Sequence, residues 1–282
     1  MNKFVITSDS TCDLSEQLLK DNGIVLVPLT ITLGDKQYKD NVDITSSDVL
    51  NYVDTTGDLP KTSANSVYEY TEVFEEWTKK GYGVLHFDIS SEDSACYSNA
   101  CQAAKEFENV YVVDSRQLST GQGLLVMKAV DFKNQGMSLE ECFNKIEEIK
   151  NKARTSFVLD KLDFLHKGGR CSLTQLLGAK ILKIHPHIAM SNGSLKIKKK
   201  YSGSNMVRVC EQYVKDLAQE YGNYDKTRVF ITHCMATEEI VNAVRAKVEE
   251  LFDFDEIIET QAGSTVSSHC GKNTIGVLFI EE

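Results

Sequence analysis

The chain has 282 residues, 41% of them hydrophobic, and a formal charge of −10. That length buries a large core but is near the size at which single cores split, so two domains are expected. The negative balance argues against a nucleic-acid or anionic-membrane surface, which needs clustered positive charge, and neither a leader precedes Phe4-Val5-Ile6-Thr7 nor does any apolar run approach membrane-spanning length, so a cytosolic protein without a stable membrane anchor is expected.

In the first half, short β-branched runs alternate with amphipathic stretches, and the runs end in small hydroxyl residues instead of hairpin turns. This is the pattern of a parallel sheet with helical crossovers. Residues 4–7 read as the first strand, followed by Ser8-Asp9-Ser10-Thr11-Cys12-Asp13 and a helix through Leu18 and Leu19. Residues 24–33 form a second extended stretch, and a helix over 45–53 starts at Thr45 or Ser46. Thr62-Ser63-Ala64-Asn65-Ser66 precedes a helix whose stripe is Tyr70, Val73, Phe74 and Trp77. A strand at 83–87 leads through Ser90-Ser91-Glu92-Asp93-Ser94 into a helix over 96–107. A strand at 110–114 leads past Gly121 and Gly123 into a long helix. Ser138 and Glu141 form a capping box for a helix to about Lys152.

After Arg154 the pattern changes. Residues 155–159 read as a strand, and Lys167-Gly168-Gly169-Arg170 as a tight turn, with Ser172 able to cap a following helix. Asn192-Gly193, between extended runs at 187–190 and 195–201, is the strongest hairpin signal in the chain. A helix over 206–221, a strand at 229–232, a helix over 237–252 and a strand at 275–280 complete a mixed α/β region. The predicted fold class is α/β: a Rossmann-like parallel-sheet domain over 1–154 and a mixed α/β domain over 155–282.

The eight cysteines are scattered without a C-x-x-C pair, which reads as reduced, mostly buried thiols. Nucleotide binding has little support, since no G-x-G-x-x-G or G-x-x-x-x-G-K-[ST] is present and Gly121-Gln122-Gly123 lacks a third glycine. No G-x-S-x-G elbow exists for a serine hydrolase. His185 and His187 lack a further ligand at metal spacing and read as surface histidines on an edge strand, so no metal and no cofactor are assigned. What stands out are hydroxyls at the carboxyl ends of the strands, where parallel sheets bind ligands: Ser8 and Ser10, Thr62 and Ser63, Ser91 and Ser94. Each is also a plausible helix N-cap. One basic island, Lys196 to Lys200, reads either as a docking surface for an acidic partner or as an edge strand protected by lysines.

Taken together, Ser8 to Leu14, Pro60-Lys61-Thr62-Ser63, Ser90-Ser91 with Ser94, Val113-Asp114-Ser115, Lys167-Gly168-Gly169-Arg170 and Gly263-Ser264 leading to His269 resemble, in order and over nearly the whole chain, the DegV family of bacterial fatty-acid-binding proteins. The resemblance implies the EDD-type fold, with one long-chain fatty acid held between the two domains and its carboxylate presented to a fatty acid kinase. The protein itself is then not an enzyme. Carried over by position, Thr62, Ser63, Ser94 and His269 surround the carboxylate with Ser91 close by, and Arg170 lies on the face that meets the kinase; on the docking reading of the basic island, Lys200 extends that face. The chain departs from the family at Glu92-Asp93 and at Lys272-Asn273, where the family usually has glycine-containing loops. The alternative is a hydrolase or transferase acting on a small acyl substrate through Ser94 or Ser63 with His269.

Overall fold

The structure, a computed structural model, describes residues 3–170 and 184–282. Cys171 and the Ser172 cap expected from the sequence lie outside the described residues.

Four strands form a wholly parallel sheet: β1 (Phe4–Asp9), flanked by β2 (Ile24–Val27) and β6 (Gly83–Asp88), with β7 (Val110–Asp114) beyond β6. All of β1 and β6 is buried, because helices cover both faces. Val5 and Val84 pack on α3 (Val67–Lys79) and α4 (Cys96–Ala104). Phe4, Ile6 and Leu85, on the opposite face, pack on α5 (Thr120–Asn134) and α6 (Leu139–Ile149), with α1 (Glu16–Asp21) contributing Leu18 and Leu19 at the margin. Capping boxes start α3 at Ser66, α6 at Ser138 and α2 (Ser46–Thr56) at Thr45.

The extended stretch expected over 24–33 is two strands in different sheets. The pairing of β2 ends at Val27, where Pro28 has no N–H to donate to a ladder, and β3 (Thr30–Leu33) then joins β4 (Lys36–Lys39) and β5 (Lys61–Ser63) in a small antiparallel sheet.

The chain enters the second sheet at β8 (Ala153–Arg154) and β9 (Ser156–Val158). This seven-stranded mixed sheet runs β11-β10-β9-β14-β12-β13, comprising β10 (Ile184–Ser191), β11 (Ser194–Ser202), β12 (Val229–Cys234), β13 (Ile257–Gln261) and β14 (Thr274–Ile280), with β8 also on β14. Only β12 and β13 pair in parallel. Helices α8 (Met206–Glu220) and α9 (Glu238–Leu251) cover one face. The other face receives α5, whose core is continuous with Phe230, Leu278 and Ile280.

Helix α5 is therefore wedged between the two sheets, and it is buried on nearly every side. This explains Gly121 and Gly123. A Cβ on Gly121 would overlap the Thr155 hydroxyl, and one on Gly123 would lie 2.7 Å from the Cys12 carbonyl oxygen. Their task is close packing in a helix interior.

The Asn192-Gly193 turn joins β10 and β11 with both residues at positive φ, 52° and 82°. The turn abuts the parallel-sheet region: Ser90 Oγ donates to the Gly193 carbonyl at 2.6 Å, and Arg116 donates to that of Asn192. A Cβ on Gly193 would meet the Arg116 guanidinium at 2.8 Å and Ser90 Oγ at 2.9 Å. Gly193→Val thus combines unfavourable backbone geometry with a clash. It is expected to cost about 2 kcal/mol and to lower Tm by roughly 4–8 °C in a thermal melt.

The reading of His185 and His187 as surface residues of an edge strand is corrected. β10 lies inside the sheet between β9 and β11, and both histidines are buried. His187 packs between Tyr201 and Tyr213, and burial pushes its imidazole down to about 4. The edge strand is β11, which carries Lys196 to Lys200.

Candidate functional site

A cavity of about 70 Å³ opens between the two regions of the chain. Its wall is apolar: Leu29, Ile89, Leu118, Phe157, Leu165, Leu195 and Val266. Its polar groups are Thr62 and Ser63 from β5, Asp93 and Ser94 from the loop before α4, Arg170, and Thr265 and His269 from α10 (Ser264–Cys270). A small inner chamber of about 20 Å³ shares Leu118, Phe157, Val266 and Cys270 with it and reaches Cys234, Gly276 and Leu278.

Thr62 and His269, 207 positions apart in sequence, form the central pair, with Oγ1 and Nε2 2.9 Å apart. The Nδ1 of His269 has no hydrogen-bond partner. It faces Gly168, where an added Cβ would lie 2.5 Å away, so the first glycine of the Lys167-Gly168-Gly169-Arg170 turn makes room for the imidazole. That turn follows the short helix α7 (Asp163–Lys167). Burial, and then the charge of Arg170, hold His269 down to about 4, so near neutral pH it is an uncharged hydrogen-bonding group.

Three buried aspartates hold these parts in register. Asp13 accepts from Gly263 N at 2.8 Å and from Ser119 Oγ at 2.5 Å. Asp40 accepts from Ser264 N and Ser10 Oγ, both at 2.8 Å. Together they fix the start of the helix that carries His269. Asp9 accepts from Thr11 N, Gln122 Nε2 and Ile89 N at 2.8 to 3.0 Å, tying the loop before α4 to β1. Burial raises all three, Asp9 to about 6 with help from the charge of Asp88, and Asp13 to about 8. Asp9, Asp88 and Cys96 place potential ligand atoms within 4.8 Å of one another. Both Asp9 oxygens, however, already accept hydrogen bonds, as does Asp88 Oδ1 from Tyr70, and we assign no metal there.

Thr62, Ser63, Ser94, Arg170 and His269 are thus brought to one cavity. Ser91 is not among its lining residues, because both its N–H and its hydroxyl go to Asp114, at 3.1 and 2.6 Å. Ser94 accepts from Cys96 N and donates to Cys96 Sγ, and Ser10 is taken by Asp40. Arg170 lies on the cavity wall, with Nη1 donating to the Gly168 carbonyl at 2.8 Å. Lys200 is exposed on β11, away from the lining residues.

The model of the family described as "Uncharacterised protein, DegV family" matches residues 3–282, and a DegV domain-containing protein of Caldanaerobacter subterraneus subsp. tengcongensis is 33% identical over the full length of both chains. The chain belongs to the DegV family. Among solved structures, a Thermotoga maritima protein described as revealing fatty acid binding function superposes with a TM-score of 0.86 at 25% identity, covering 99% of this chain and 100% of that one. A stearic acid-binding protein from Eubacterium ventriosum superposes with a TM-score of 0.82 at 26% identity, covering 99% and 98%. The parallel-sheet region followed by a mixed sheet is the DegV architecture. Among the described residues, no helix is long and apolar enough to cross a membrane.

Sequence reasoning did not single out the roles of Asp9, Asp13 and Asp40. Asp9 and Asp13 lay inside a quoted motif, but only the fold shows what they hold; Asp40 carries no local signal.

Proposed function

We propose that this DegV protein is a non-catalytic, cytosolic carrier that holds one long-chain fatty acid between regions 1–154 and 155–282 and presents the carboxylate to a fatty acid kinase. The observation that carries this reading is an apolar cavity with a deeper chamber behind it and a cluster of hydroxyls and a neutral imidazole on its wall. Burying about fifteen methylenes at roughly 0.8 kcal/mol each gives a gross driving force on the order of 12 kcal/mol, before the costs of association. The tail supplies affinity in this scheme. Hydrogen bonds from Thr62, Ser63, Ser94 and His269 orient the acid and prevent a buried, unpaired charge. Fatty-acid binding by the Thermotoga and Eubacterium relatives supports the ligand class.

The hydrolase reading finds less support. Ser94 is bonded to Cys96 and not to His269, and among the described residues no carboxylate stands at His269 Nδ1 to orient it as a base. For the kinase face we assign Arg170, at the cavity wall, and Lys200, which is exposed and has no ion pair among the described residues.

Native mass spectrometry of protein purified from cells is expected to show one co-purified fatty acid; an empty protein that turns over an ester would overturn the reading. In the double variant Thr62→Ala, Ser94→Ala, kinase-dependent phosphorylation of the lipid is expected to fall at least tenfold with most of the lipid retained. Full phosphorylation would remove these hydroxyls from the head-group role.

A further inference from the structure

Granted the fatty-acid reading of the cavity, we propose that Asp93 shares a proton with the head group of the bound lipid, so that the acid is taken up together with one proton from solvent. Asp93 lines the cavity beside Ser94, and its Oδ2 is buried without any hydrogen-bond partner. Asp9, Asp13 and Asp40 have their oxygens engaged by the donors described above, and Asp114 by Ser91. Among the described residues Asp88 and Asp93 each leave Oδ2 buried without a partner, and of these two Asp93 lines the cavity. It also falls within the loop where the chain departs from the family's usual sequence.

The charges around it make a second carboxylate costly. Among the described residues Arg170 is the only cation lining the cavity, and its charge acts on both Asp93 and His269. Glu92, on the same loop, adds to the negative field. From α10 come His269, which is neutral near pH 7, and the protonated thiol of Cys270; from α4 comes the buried thiol of Cys96. With Asp93 ionised, Arg170 is already balanced, and an incoming carboxylate leaves one uncompensated negative charge in a poorly solvated space. Two carboxylates in that situation hold one proton between them. Burial, helped by the charge of Glu92, already raises Asp93 to about 6 in the free protein, against the opposing charge of Arg170. The bound acid moves the pair further in the same direction.

The sign follows from linkage. Where binding takes up a proton, affinity falls as pH rises, by at most about tenfold per pH unit for one proton. Calorimetric titration of delipidated full-length protein with palmitate, from pH 5.5 to 8 in buffers of different ionisation enthalpy, tests this. The wild type is expected to lose three- to thirtyfold in affinity between pH 6 and 7.5, with proton uptake approaching one. Asp93→Asn is expected to bind more tightly than wild type at pH 7.5, with a flatter profile and little uptake, and Asp93→Glu to restore both. The lipid's own titration is common to all variants and cancels in the comparison. Unchanged slope and uptake in Asp93→Asn would overturn the proposal. So would His269→Gln removing the slope while Asp93→Asn leaves it, since the proton would then reside on the imidazole. Absence of palmitate binding by wild type and variants at every pH would overturn the fatty-acid reading itself, and this inference with it.

Discussion

Replacing Leu118 with tryptophan is expected to weaken retention of long acyl chains selectively while leaving the protein folded. Leu118 lines both the outer cavity and the inner chamber, together with Phe157, Val266 and Cys270. The free space beside Leu118 is small, so the larger ring carries an overpacking cost of about 1–3 kcal/mol. If the tail threads past Leu118 and the ring denies contact to its last two or three methylenes, losing them at about 0.8 kcal/mol each removes about 2 kcal/mol, roughly thirtyfold in Kd. The penalty should depend on chain length. A ten-carbon acid, which does not reach the chamber, is expected to bind wild type and Leu118→Trp within a few-fold of each other, whereas a sixteen- or eighteen-carbon acid separates them. Equal losses at all lengths would place the tail elsewhere.

The second large effect is expected at the aspartates that hold α10. Asp40→Ala removes the acceptor for Ser264 N and Ser10 Oγ, and Asp13→Ala that for Gly263 N and Ser119 Oγ. Leaving buried donors unpaired costs about 1–3 kcal/mol per site. The double variant is expected to lose about 2–4 kcal/mol in denaturant unfolding and to release lipid, because α10 also carries His269. The pH dependence tells a positioning carboxyl from mere packing. The folded-state value of Asp13 is raised, so between about pH 4 and 8 the folded protein holds a proton that the unfolded chain has released. Stability from this group is therefore greatest at the acid end and falls as pH rises toward 8. Measured against Asp13→Asn, wild-type stability is expected to decline with pH at no more than about 1.4 kcal/mol per unit. A difference independent of pH would show that Asp13 does not titrate in this window.

Much of the fold was legible because it rests on short-range chemistry. The buried strands of the first sheet are rich in β-branched and aromatic residues, the capping box at Ser138 is a four-residue signal, and Asn192-Gly193 carries the positive φ values its turn requires. The hydroxyl clusters were visible for the same reason. What each hydroxyl does was not. Most are not the helix caps that local preference suggests: Ser10 serves Asp40 and Ser91 serves Asp114, while Thr62 meets His269.

By itself the sequence determined the alternation of strands and helices, the change of pattern near residue 155, and a set of ordered motifs sufficient to suggest the family. Those are properties of neighbours along the chain. The tertiary structure alone decided that Asp40 and Asp13 grip one helix, that His187 is interior, that Ser91 is turned to Asp114, and that Asp93 faces the cavity without a partner. The reason is physical: a buried polar group is defined by the donor or acceptor that satisfies it, and here those partners lie up to 250 positions away.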